Sequence, residues 1–139
     1  MSARDKRSPD DLRVAFNADR ACLRVRVTGA GTFENTVTYW KAIAAEVRQR
    51  DFSAVLLIDE LHGEPIGKEQ WQALVAAMVG QGLEYLRIAH VKPNGLQSVE
   101  YCEIYAKEAG FDTHVFADEQ NAAIWLRYGE RRHSGTRGP

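Results

Sequence analysis

The feature that most constrains this chain is the repeated change in the spacing of its apolar residues. Leu12, Val14 and Phe16 alternate with Arg13, Ala15 and Asn17, the period of a half-buried strand. Asn17 to Arg20 reads as a turn, after which Leu23, Val25 and Val27 alternate with Arg24, Arg26 and Thr28. Two such runs joined by so short a link predict an antiparallel hairpin. From Asn35 to Arg50 the period becomes helical, with Val37, Trp40, Ile43, Ala44 and Val47 on one stripe and Asn35 or Thr36 as the cap. Phe52 to Glu60 returns to a strand. Its centre, Val55-Leu56-Leu57-Ile58, is apolar on both faces, as in a central parallel strand.

The same alternation continues to residue 128. Gly67 to Gln81 reads as a second helix with Trp71, Leu74, Val75 and Met78 inward, ended near Gly82. Leu86 to Val91 is a strand, followed by the turn Pro93-Asn94-Gly95. A third helix over Leu96 to Ala109 would bury Val99, Cys102 and Ala106 and stop at Gly110. Thr113 to Ala117 is the last strand, and Asp118 caps a final helix carrying Ala122, Trp125 and Leu126. The order is β-β-α-β-α-β-α-β-α. It predicts an α/β fold with a five-stranded, mostly parallel sheet, an N-terminal antiparallel hairpin and four helices.

Length and composition agree with this. At 139 residues, 45% hydrophobic and 27% charged, the chain is long enough for one core and too apolar for disorder. No apolar run approaches the roughly 18 residues of a membrane span, so no membrane span is expected. The start, MSARDKRSPDD, lacks the apolar centre of a secretory signal. With only Cys22 and Cys102 there is no disulfide framework, and the expected compartment is a reducing cytoplasm.

The formal net charge of −1 conceals an uneven distribution. Arg4, Lys6, Arg7, Arg131, Arg132 and Arg137 face only Asp5 and Glu130 at the two ends, which leaves the body mildly acidic. Residues 1–10 and 129–139 lack apolar periodicity and read as mobile tails around one domain over 11–128. Six dispersed basic residues read as solvated termini, and no nucleic-acid partner is expected.

Several motifs fail on their chemistry. Gly29-Ala30-Gly31 follows a strand and precedes a helix, but Glu34 stands where a dinucleotide-binding fingerprint needs its third glycine. Gly63 to Lys68 has three residues between its glycines instead of four, and Glu69 replaces the hydroxyl that would bind magnesium. Cys22 and Cys102 fall at packing positions, and no nucleophile–base arrangement can be read from spacing. His90 and His114 lie on strands and read as ordinary sheet residues. No cofactor is implied, and nothing demands an enzyme.

Asp59, Glu60, His62 and Glu64, with Lys68 just beyond, cluster at the carboxyl edge of the third strand, where parallel α/β folds place their sites. Their chemistry suits either a divalent ion or a carboxylate-tuned histidine. The plainer expectation is a polar loop leading into a helix. On the third helix Tyr101, Ile104 and Tyr105 lie to one side of the core stripe, a patch for association or for packing against a neighbouring helix.

The element order, with FSAVLLIDELHG over Phe52–Gly63 and VFADEQNAAIWL over Val115–Leu126, resembles the STAS / SpoIIAA-like superfamily. These are anti-sigma-factor antagonists and their relatives, and the resemblance covers about residues 11–128. It implies a superhelix of strand–helix turns with the helices largely on one side of the sheet. Arg13, Arg24, Arg26 and Arg87 would then project from the partly covered face as a basic strip, for an acidic partner or an anionic ligand. In regulatory members a partner kinase phosphorylates a serine after the third strand. From Asp59 through Glu84 this chain has no Ser or Thr, so that switch is not available at this site. The function expected is a non-catalytic protein-interaction module that self-associates as a homodimer, its other partner unknown. The alternative is a small-ligand or lipid-binding protein with a cavity between helices and sheet.

Overall fold

The computed structural model describes residues 8–129. The element order is β1 (Arg13–Asp19), β2 (Cys22–Ala30), α1 (Phe33–Val47), β3 (Ala54–His62), α2 (Lys68–Met78), β4 (Arg87–Val91), α3 (Tyr101–Glu108), β5 (Asp112–Phe116) and α4 (Glu119–Tyr128). The fold is α/β, with five strands in the spatial order β1-β2-β3-β4-β5 and four helices. β1 pairs antiparallel with β2 and every other neighbour pairs parallel. The basic tails expected from the sequence fall mostly outside the described residues. Within them, Ser8 to Asp10 are held: Asp11 donates its N–H to the Ser8 carbonyl (3.0 Å), and Ala30 donates to that of Asp10 (3.0 Å).

Strand periodicity sorts the side chains onto two faces. Leu23, Val25, Val27, Val55, Leu57 and Ile88 point to one side, where α1, α2 and α3 supply Tyr39, Ile43, Trp71, Leu74 and Cys102. Leu56, Ile58, Ala89 and Val91 point to the other, where α4 supplies Ala122, Trp125 and Leu126. Ala54 through Ile58 is buried on both faces, as its unbroken apolar run required. β1 is more exposed than its alternation implied. Leu12 and Val14 alone pack against the core, and Phe16 is 37% exposed, because α1 lies over β2 and not over the edge strand.

Two boundaries differ from expectation for reasons visible in the hydrogen bonds. α1 begins one turn earlier than Asn35 or Thr36 would set it: Thr32 is the cap, its Oγ1 accepting from Asn35 N–H at 3.1 Å. The Asn35 amide instead donates to the Ala30 carbonyl at 2.8 Å. α3 begins at Tyr101 and not Leu96, because the Glu100 carboxylate binds Gln97 N–H (2.6 Å) and Lys92 Nζ (2.5 Å) and holds the preceding segment as a loop. Val99, expected in the core, is therefore 40% exposed. Asp118 caps α4 as expected, accepting from Asn121 N–H at 2.8 Å.

Gly29 is a close approach within β2. Its φ is 126°, and a Cβ there would sit 2.7 Å from the Asp11 carbonyl oxygen. Both the left-handed backbone and the contact exclude a side chain. Gly29→Ala is expected to lower unfolding free energy by about 2 kcal/mol, read by urea denaturation.

Candidate functional site

β3 alternation divides the expected acidic cluster. Asp59 and Leu61 face the three-helix side, and Glu60 and His62 face the α4 side. Glu60 forms an ion pair with Arg26, Oε1 to Nε at 3.5 Å, and His62 Nε2 lies 3.4 Å from Asp10 Oδ1. Asp59 turns inward to His90, with Oδ2 to Nε2 at 2.8 Å, and receives the Tyr39 hydroxyl at 3.4 Å. Its Oδ1 accepts Leu61 N–H at 3.1 Å. Asp59 and His62 are therefore members of one motif with separate partners. Among the described residues no three His, Cys, Asp or Glu side chains gather to hold a metal ion, so the Asp59–His62–Glu64 ligand set does not form.

Inside the sheet edge a buried polar network replaces it. His90 is 2% exposed and lies edge-on to Trp40, ring centroids 6.0 Å apart. Two residues on, Lys92 binds Glu100 and places Nζ 5.7 Å from the centre of the Trp71 ring. Burial works against ionisation of Asp59, but the hydrogen bond and charge of His90, the Leu61 N–H and Lys92 outweigh it and hold the carboxyl below its ordinary 3.8. Burial is also the largest influence on His90 and takes it below 6.5, against the opposing pull of Asp59. At neutral pH the pair is thus a carboxylate accepting from a neutral imidazole, whose Nε2 carries the proton. Burial likewise pushes the Cys102 thiol up to about 12, so it is no nucleophile at pH 7.

These shifts set a pH dependence. A histidine lowered on folding binds its proton more readily in the unfolded chain, so its contribution is full above about 6.5 and lost as pH falls. Asp59, Glu103 and Glu119, also lowered, add a second loss below their ordinary values of 3.8 and 4.5. Thermal melts from pH 7 to pH 3 should fall in two stages, and His90→Asn should flatten the first while leaving the part of the second that Glu103 and Glu119 carry.

Above this network, at the carboxyl ends of β2, β3 and β4, lies a cleft of about 330 Å³. Gly31 and Thr36 form one wall, His62 to Pro65 the exposed rim, and Asp59, Leu61, Ile66, Trp71 and Lys92 the interior. Asn94 closes the far side, its amide donating to the carbonyls of Glu60 (3.3 Å) and Leu61 (3.2 Å). A second, apolar cavity of about 50 Å³ lies beneath it between sheet, α2 and α3, and Trp71 borders both. The Trp40 indole N–H in its wall is buried without a hydrogen-bond acceptor in bonding geometry, although it lies near enough to the Tyr39 oxygen to favour that phenol's ionised form.

The remaining expected residues separate. Lys68 is exposed at the start of α2 and lies outside the cleft lining. Tyr101 and Tyr105 stack on each other, centroids 6.3 Å apart, and pack half-buried against the core, leaving Ile104 as the exposed member. Arg24 pairs with Glu119 and Arg26 with Glu60 on the α4 side of the sheet. Arg87 shares that side but does not project into solvent. α4 covers it, leaving it 4% exposed with its guanidinium 4.2 Å over the Trp125 ring and 3.6 Å from Asp112. The basic strip is thus Arg13, Arg24 and Arg26 alone.

Tyr39, Trp71, His90, Lys92, Asn94 and Glu100 were not singled out as site residues by the sequence. One signal for His90 was available: parallel register pairs Leu57 with His90, which puts Asp59 on the same face one step further along. Compared with protein-family models and with curated proteins, the chain matches none of them.

Proposed function

We propose that this chain is a non-catalytic protein-interaction module of STAS-like fold that meets its partner at the carboxyl edge of the sheet. The observation that carries this is the cleft of about 330 Å³, with an exposed rim at His62 to Pro65 and a floor of Leu61, Ile66 and Trp71. An aromatic-floored hollow with a polar rim suits one anchoring side chain of a partner. Glu64 puts an exposed carboxylate on the rim, and Glu69 follows in the first turn of α2, so the partner segment is basic. The reactive groups in the cleft are already held, Asp59 by His90 and Lys92 by Glu100, and in the cavity beneath it the Cys102 thiol is held neutral by burial. The STAS-like part is supported by strands that succeed one another across the sheet in chain order, with three helices on one side.

A small ligand in the same cleft is the second reading, favoured by a volume within the range of small-molecule sites. The cavity between helices and sheet, at about 50 Å³, is nearer to water size than to a lipid chain. The two readings separate on Glu64→Lys and Ile66→Arg. A captured protein, re-tested as a purified component, should bind either variant at least about tenfold more weakly than wild type. Unchanged binding by both variants overturns the proposal. A small molecule retained in the native mass spectrum and lost in both variants favours the second reading.

A further inference from the structure

The two edges of the sheet are finished differently. At β5 the outward N–H of Val115 is occupied by Glu103 Oε1 at 3.0 Å, and the other Glu103 oxygen is held by Lys107 at 2.5 Å. A carboxylate placed along an edge blocks strand addition there. β1 carries no such guard among the described residues. It pairs with β2 without interruption from Arg13↔Thr28 to Asp19↔Cys22, and contains no proline, lysine or bulge. All its side chains except Val14 are exposed.

The turn fixes which backbone groups are free. Arg20 and Ala21 form a two-residue turn, with Arg20 at φ 60°. Such a turn closes on a pair that exchanges both backbone hydrogen bonds, here Asp19 and Cys22. Counting back in twos, Asn17, Ala15 and Arg13 also bond to β2. The N–H and C=O groups of Val14, Phe16 and Ala18 therefore point away from the sheet. No described residue outside the hairpin hydrogen-bonds to them.

We infer that β1 is a self-pairing edge, through which two copies of this chain join antiparallel across a two-fold axis at Phe16. In that register Val14 and Ala18 exchange hydrogen bonds with the partner's Ala18 and the partner's Val14, and Phe16 does so with the partner's Phe16. Arg13 falls opposite the partner's Asp19, on the same face, and the pair occurs twice by symmetry. Moving the axis to Ala15 sets Asp11 against the partner's Asp19, two like charges. Moving it to Asn17 sets Asp19 against Ala15 and loses both ion pairs. One register alone satisfies the outward backbone groups and the charges together. This pairing is independent of the cleft and of what binds there.

Sedimentation equilibrium of the full chain at up to about 100 µM tests it. Wild type should dimerise. R13D alone and D19R alone should each weaken the dimer at least about tenfold, because like charges then meet at both pairs. An equimolar mixture of R13D and D19R should restore association, since the reversed charges become complementary across the axis. F16P removes one outward N–H without touching the β2 ladder, and should abolish the dimer while the far-ultraviolet spectrum stays native. A monomeric wild type overturns the proposal, as does a dimer indifferent to R13D and D19R or a mixture that fails to reassociate.

Discussion

Asp112→Ala is expected to lower the unfolding free energy by about 3–5 kcal/mol, because it removes the carboxylate that neutralises a buried guanidinium. Arg87 and Asp112 are 4% and 3% exposed, at 3.6 Å an ion contact in place of a hydrogen bond. Arg87 also donates to the Leu126 carbonyl at 3.3 Å and lies under Trp125, so the guanidinium ties α4 to β4. The corresponding drop in melting temperature is on the order of 10 °C. Replacing both partners, as Arg87→Met with Asp112→Leu, should recover most of the loss, since neither desolvated charge then remains. A double variant no better than Asp112→Ala would mean that Arg87 acts mainly through α4 packing.

Asp59→Ala should cost about 3 kcal/mol, and its effect should be felt beyond one contact. The carboxylate accepts from His90, Leu61 N–H and Tyr39, and its charge helps hold Lys92 protonated. Removing it leaves a buried imidazole N–H and a backbone N–H unpaired at the floor of the cleft. Asp59→Asn keeps the shape and one acceptor, so it should recover part of the loss. The same comparison, followed by the histidine ring resonances, should show His90 harder still to protonate in both variants, because the carboxylate is the main influence raising it.

The order of elements was legible because each carries its own period. Leu23-Val25-Val27, the run Val55 to Ile58 and the Trp71–Leu74–Met78 stripe lie where the spacing placed them. Positions that depend on what packs from outside an element were not. Arg87 is an arginine on a strand with the parity of an exposed residue, and only α4 crossing to the second face buries it. Val99 fitted a helical stripe, but a carboxylate three residues from Gln97 kept its segment out of the helix. At the site, adjacency in sequence misled. Asp59, Glu60 and His62 are neighbours in the chain, and the pleat sends them to different faces, whereas His90 arrives from β4 and Lys92 from the residue just after it.

The strand order has a consequence for how the molecule comes apart. Since each strand pairs only with its neighbours in the chain, no strand is inserted between two others, and the sheet can grow or shrink from its ends. β5 and α4 form the last addition, docked on β4 through Arg87, Asp112 and Trp125. That end can open while β2 and β3, joined over nine pairs, remain closed. Amide exchange should accordingly be fastest in α4 and β5, slower in β4, and slowest at Leu57 and Val25, a gradient of protection running along the chain.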